Sequence, residues 1–208
     1  MGTSNLTTTD RLKELLPQLF NTKKLEGNYY LRFQLTNEIS GSIDLKYVEE
    51  SLTIPGDRIT AVPNLPEYVI GLMSSRNQVF LAMDLAHLAG LQPETINLRQ
   101  YQTIVVKLAR SLAPIGDAGS NVKIDSIQNE SSLADGTNVF GLTVKQIEGI
   151  ARVSSDRLIP ATQNIPETLK PFISKIIVPE AENSNSNSEN KKSLLIDIPQ
   201  LIGTKTNF

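Results

Sequence analysis

The chain has 208 residues, with 20 Lys and Arg against 22 Asp and Glu and a formal charge of -2. That balance lacks the basic footprint by which nucleic-acid binders neutralise phosphates. There is no cysteine and one histidine, His87, so disulfides, thiolate metal sites and any site needing two histidines are excluded. The length allows one domain or two small ones around a substantial core.

The first ten residues, MGTSNLTTTD, are polar and carry no apolar run like that of a signal peptide. No stretch approaches the roughly 20 apolar residues of a membrane span. The expectation is a soluble cytoplasmic protein with no direct membrane insertion. Residues 1–9 are expected to be disordered. From Asp10, Leu12, Leu15, Leu16, Leu19 and Phe20 follow the i, i+3, i+4, i+7, i+8 spacing of an amphipathic helix, capped by Thr9 or Asp10 and interrupted at Pro17. Its apolar stripe would pack on the protein's own body, or alternatively dock a partner.

Tyr29 to Leu35 alternates as a strand, with Tyr30, Arg32 and Gln34 on one face and Leu31, Phe33 and Leu35 on the other. Ile39 to Leu45 pairs with it across a Thr36-Asn37-Glu38 turn, and Val48 to Ile54 runs to the Pro55-Gly56 break. Tyr68 to Met73 and Val79 to Met83 are apolar apart from Gly71, as in strands buried on both faces. Between them Ser74 to Gln78 is a polar tip. Asp84 is placed to cap a short helix and Gly90 to end it in a left-handed conformation. After a linker broken by Pro93 comes the strand Tyr101 to Leu108. Residues 109–138 have no clear periodicity and read as a loop insertion. Residues 183–190, NSNSNSEN, are low-complexity and form the centre of a second insertion, about 180–192.

The second half repeats the first. Lys46-Tyr47-Val48-Glu49 matches Lys145-Gln146-Ile147-Glu148 at an offset of 99, and Asp57-Arg58-Ile59 matches Asp156-Arg157-Leu158 at the same offset. Asn64-Leu65-Pro66 matches Asn164-Ile165-Pro166 at 100. Asp84-Leu85 with Leu88 and Gly90 matches Asp197-Ile198 with Leu201 and Gly203 at 113. The jump of 13 is assigned to a longer hairpin holding the Asn-Ser repeat. Such ordered self-similarity marks a duplicated unit. Each copy supplies about five short strands, enough to close a small barrel and remove its open edges. The expected fold is mainly β: two five-stranded barrels related by a pseudo-twofold, with an N-terminal helix and short capping helices.

Ile59, Thr60, Val62, Pro63, Asn64, Pro66, Val69, Gly71, Arg76, Asp84 and Leu85 together resemble the CheW-like adaptor domain of bacterial chemotaxis systems. That family shows I-T-x-V-P-N-x-P-x-x-V-x-G, a tip close to N-L-R-G and an apolar strand ending in D-L. Asn77 stands where the family usually has Gly, and Leu81 where it often has Pro. Asn tolerates positive φ, so the turn is expected to survive. The resemblance covers roughly 27–208, with 1–26 as an extension, and implies two SH3-like barrels. The leading helix makes it look most like the adaptors of cyanobacterial phototaxis and type IV pilus systems.

The resemblance implies a non-catalytic adaptor that needs no cofactor. Its implied partners are the regulatory domain of a CheA-type histidine kinase and the cytoplasmic tip of a taxis receptor. The implied partner-binding residues are Arg76, with Ser75 and Asn77 beside it, and Glu50, which matches the acidic residue of V-x-E. Gly71, Pro66 and Pro166 are read as structural, as are Asp84 and Asp197 as helix caps. The residues leave two competing classes. One is a small hydrolase using Asp84 or Asp197, which would need convergent polar groups in a pocket. The other is a small-molecule-binding barrel, which would need a hollow interior. No G-x-S-x-G elbow or glycine-rich phosphate loop is present. His87 is read as a surface or partly buried helix residue, since no orienting partner for a catalytic base is suggested.

Overall fold

A computed structural model describes residues 27–76, 78–92, 98–109, 137–161, 165–179 and 192–205. The expected helix over 10–20, the tip residue Asn77 and the bulk of both insertions lie outside these described residues. In chain order the strands are β1 (Asn28–Gln34), β2 (Ser40–Asp44), β3 (Val48–Pro55), β4 (Val69–Ser75) and β5 (Gln78–Asp84), followed by helix α1 (Leu85–Leu88). Then come β6 (Gln100–Ala109), β7 (Thr137–Val144), β8 (Gln146–Val153), β9 (Leu158–Pro160), β10 (Ile173–Ile177), β11 (Ser193–Ile196) and helix α2 (Ile198–Lys205).

The strands form two sheets, ordered β8-β1-β2-β11-β10-β9 and β3-β6-β7-β5-β4. In the first, the end strands β8 and β9 are joined by one 3-10 turn at Ser155–Arg157. Terminal strands that are covalent neighbours can coexist only if the sheet curls on itself. The second sheet repeats the device. β3 leads through the 3-10 turn at Gly56–Arg58 to Thr60, which pairs with Leu72 of β4, the opposite end of the order.

The duplication governs both orders, but not one copy per sheet. β1 and β2 begin the first copy, yet they lie between β8 and β11 of the second; β6 and β7 begin the second copy, yet they lie between β3 and β5 of the first. The two halves therefore exchange their opening strand pairs. Each exchange ends in a parallel pairing, β2 with β11 and β5 with β7. The expectation that each copy builds its own barrel is corrected accordingly. The longer second hairpin is where the offset located it: two residues join β4 to β5, and fifteen join β10 to β11.

Exchange explains why so many strands are apolar on both faces. On β6, Tyr101 and Val105 point into the core of the second sheet with Phe80, Met73 and Ile54. The alternate residues Ile104, Val106 and Leu108 join a core shared between the sheets, where they meet Leu31 and Phe33 of β1 and Leu201 of α2. Among the described residues, that shared core holds 25 buried residues, against seven inside the second sheet and three inside the first. With about 1.5–3 kcal/mol per fully buried large apolar side chain, most hydrophobic stabilisation lies between the sheets.

Repeated turns frame this core. Pro66 accepts from the Val69 N–H at 2.9 Å, and Pro166 from the Leu169 N–H at 2.9 Å. Asn64, with φ 60, takes the left-handed conformation that Asn tolerates. Gly71 has φ 151, and a Cβ there would lie 2.5 Å from the Thr60 carbonyl oxygen, so glycine permits the Thr60 bridge. Gly90 has φ 80 just after α1, whereas its counterpart Gly203 lies inside α2 and ends nothing.

The Tyr68 hydroxyl donates to the Lys205 carbonyl at 2.6 Å and ties the approach to β4 to the end of α2. Burial pushes this phenol up to about 12 from 10.0. The folded form thus holds the proton more tightly, and the contribution is complete below pH 10 and lost as pH rises through 12. Denaturant titrations should show the stability gap between the native protein and Tyr68→Phe shrinking across that window. Leu142→Ala, in the shared core and fully buried, should cost about 2–5 kcal/mol. Calorimetry on that variant should still show one transition, because neither sheet keeps a core of its own size.

Candidate functional site

The β4–β5 hairpin pairs Ser75 with Gln78, so its connection is two residues long, Arg76 and Asn77. The polar tip is thus shorter than the five residues expected, because Ser74, Ser75 and Gln78 are within strands. Two-residue hairpins favour turns with positive φ, whose twist matches that of the strands. Arg76 takes that conformation, with φ 44. The positive φ expected at Asn77 falls outside the described residues, and Arg76 bears one itself.

Glu50 meets this tip because of a register shift. Val48 pairs with Val106 and Glu50 with Val105, leaving Glu49 as the extra residue of a bulge. Paired residues share a face, and Val106 belongs to the shared core whereas Val105 points into the second sheet. Without the bulge, Glu50 would lie on the same face as Val48, towards the shared core. With it, Glu50 turns to the other face and reaches β4. Ser75 Oγ donates to Glu50 Oε1 at 2.6 Å, and Arg76 Nε lies 3.1 Å from Glu50 Oε2. Glu50 is 16% exposed and Arg76 81% exposed. The carboxylate is held, and the guanidinium is anchored through Nε with its outer nitrogens towards solvent. The structure thereby brings Glu50 to the adjacent pair Ser75 and Arg76, which lies 25 or more residues further along the sequence.

The other sheet carries a related pair that the sequence reading did not single out. Glu148 is the extra residue at the bulge of β8, and its Oε2 lies 3.4 Å from Arg32 Nη2, with both side chains mostly buried. The available signal was the match of Glu148 to Glu49 in the repeat together with Arg32 on a strand.

The two aspartates do different work. Asp84 is 1% exposed and its Oδ1 accepts the His87 N–H at 2.9 Å, capping α1. Asp197 Oδ1 accepts the Gln200 N–H at 3.0 Å at the start of α2. Each carboxylate is turned to its own helix, which offers the hydrolase alternative no convergent pair. His87 is half-buried on α1. Among the described residues, no group of three or more His, Cys, Asp or Glu could hold a metal. The interior of the second sheet is packed with Phe80, Met73 and Tyr101. No helix among the described residues is long and apolar enough to cross a membrane. Because Arg76 is so exposed, Glu50→Gln should leave the protein folded and cost less than about 1 kcal/mol in a urea titration.

No curated protein matches the chain. Among solved structures it is similar to the scaffolding protein TtCheW from Thermoanaerobacter tengcongensis, with a TM-score of 0.56 at 16% identity. The match covers 87% of this chain and 98% of that one, and it speaks to the fold. A family model described as CheW-like domain matches residues 30–205, spanning both sheets and α2. The chain belongs to the CheW-like domain family.

Proposed function

We propose that this protein is a chemotaxis-type coupling adaptor, non-catalytic and free of cofactors. It holds the cytoplasmic tip of a taxis receptor beside the regulatory domain of a CheA-type histidine kinase, on the cytoplasmic face of a receptor array. The observation that supports this reading most is the anchored tip. Arg76 is fixed at its Nε by Glu50 while most of its surface stays in water. An arginine held in one geometry before binding loses less side-chain entropy on association, and its planar head can then take a partner carboxylate or carbonyl. Arginines of this kind are common at interface hot spots. Ser75 supports the arrangement by fixing the second oxygen of Glu50, and Asn77 completes the proposed contact surface.

The rigid part of the mechanism is the shared core. Two sheets that cannot separate present two partners at a constant spacing, so a change in one partner's conformational equilibrium biases the other's. The extension over 1–26 is the feature that looks most like phototaxis and type IV pilus adaptors, and the proposed setting is chemotaxis, phototaxis or pilus-motility signalling.

Co-purification with the cognate kinase and receptor tests the reading. Binding to both is expected at tens of micromolar or tighter, and loss of detectable binding to both would overturn it. Arg76→Ala should weaken receptor capture by about tenfold, equivalent to about 1.4 kcal/mol, with unchanged thermal unfolding.

A further inference from the structure

The duplication makes each sheet a control for the other. In the first sheet, the chain leaving the turn at Ser155–Arg157 continues as β9 and pairs three residues deep with β10, Leu158 with Ile177, Ile159 with Ile176 and Pro160 with Lys175. Arg157 lengthens that seam. The Val178 N–H donates to the Arg157 carbonyl at 3.0 Å, and Arg157 Nε donates to the Val178 carbonyl at 2.9 Å.

In the second sheet the equivalent chain pairs at Thr60 with Leu72 and goes no further. Stepping outward from that bridge by two residues reaches Arg58 and Ser74, the counterparts of Arg157 and Val178. Among the described residues, no backbone hydrogen bond joins them. The seam opens instead into a groove of about 530 Å³ between β3 and β4. Leu52, Ile54 and Val79 supply its apolar lining, and Arg58, Ser74 and Arg76 its polar rim. Among the described residues, two arginines and no carboxylate line it. Both flanking strands are terminal in the sheet order, and the outer edge of β4 is open beyond the Thr60–Leu72 bridge, from Ser74 onward. Glu50 contacts two of the lining residues, Ser75 and Arg76.

We infer that this groove takes an extended peptide segment of a partner protein, added as a strand on the free edge of β4 where β9 lies on β10 in the other sheet. Backbone pairing supplies register, and the two-residue period of a strand sends alternate side chains in opposite directions. One set enters over Leu52, Ile54 and Val79 and must be apolar. The other faces the rim, where Arg58 and Arg76 select carboxylates. The segment therefore alternates apolar and acidic residues. This inference goes beyond the adaptor reading and does not depend on which partners that reading names.

The test uses the full chain, isotope-labelled for amide NMR, titrated with an acetylated hexapeptide of alternating valine and glutamate. Saturable shifts are expected at the amides of Leu52 to Ile54 and Ser74 to Arg76, with a dissociation constant below about 1 mM. A valine–lysine hexapeptide, and the valine–glutamate peptide N-methylated at alternate amides, should each bind at least about tenfold more weakly. Arg58→Glu should weaken the acidic peptide by a similar factor without moving the thermal midpoint, since Arg58 is exposed. Absence of saturable shifts, shifts confined to other surfaces, equal binding of the N-methylated peptide or indifference to Arg58→Glu would each overturn the inference.

Discussion

Everything in this molecule depends on the apolar contact between its two sheets. The exchanged pairs β1–β2 and β6–β7 each contribute one face to a sheet interior and the other to the shared core. Phe33, Ile43, Ile104 and Leu142 sit in that shared layer with no solvent exposure. Separating the sheets would expose that layer and tear strands out of both barrels at once. The two units are thus mechanically one body, although the repeat makes them look like two.

The consequence reaches the surface through β3. One face of that strand must serve the shared core, as Val48 does, and the opposite face must serve the interior of its own sheet, as Ile54 does. At position 50 the bulge at Glu49 turns the side chain away from the face of Val48 to the face of Val105, where Ser75 and Arg76 satisfy its carboxylate. An ion pair this exposed contributes little to stability. Its effect is to limit the rotamers of an arginine that would otherwise sample many, which is a property useful in recognition rather than in folding.

The two sheets also show how a duplicated fold diverges locally. One seam is sealed by β9 and by Arg157 on Val178. The other retains a single bridge at Thr60 and leaves two arginines beside an apolar cleft. Gly71 is required at the bridge, because any Cβ would strike the Thr60 carbonyl.

Much of this was legible in the chain itself. Alternating and doubly apolar runs located β1 to β6 to within a residue or two, because strand burial imposes its period on composition. The repeat and its jump of 13 located the long second hairpin, since an insertion shifts the offset wherever it falls. Capping by Asp84 and Asp197 could be read from a polar residue followed by a short apolar periodic segment. The exchange of strand pairs could not be read, because periodicity reports that a face is buried and not against what. Nor could the meeting of Glu50 with Ser75 and Arg76, which requires a register shift that leaves no mark on the hydrophobic pattern. Only the folded chain decided those, since hydrogen-bond register between distant strands is a property of the packed sheets and not of any segment alone.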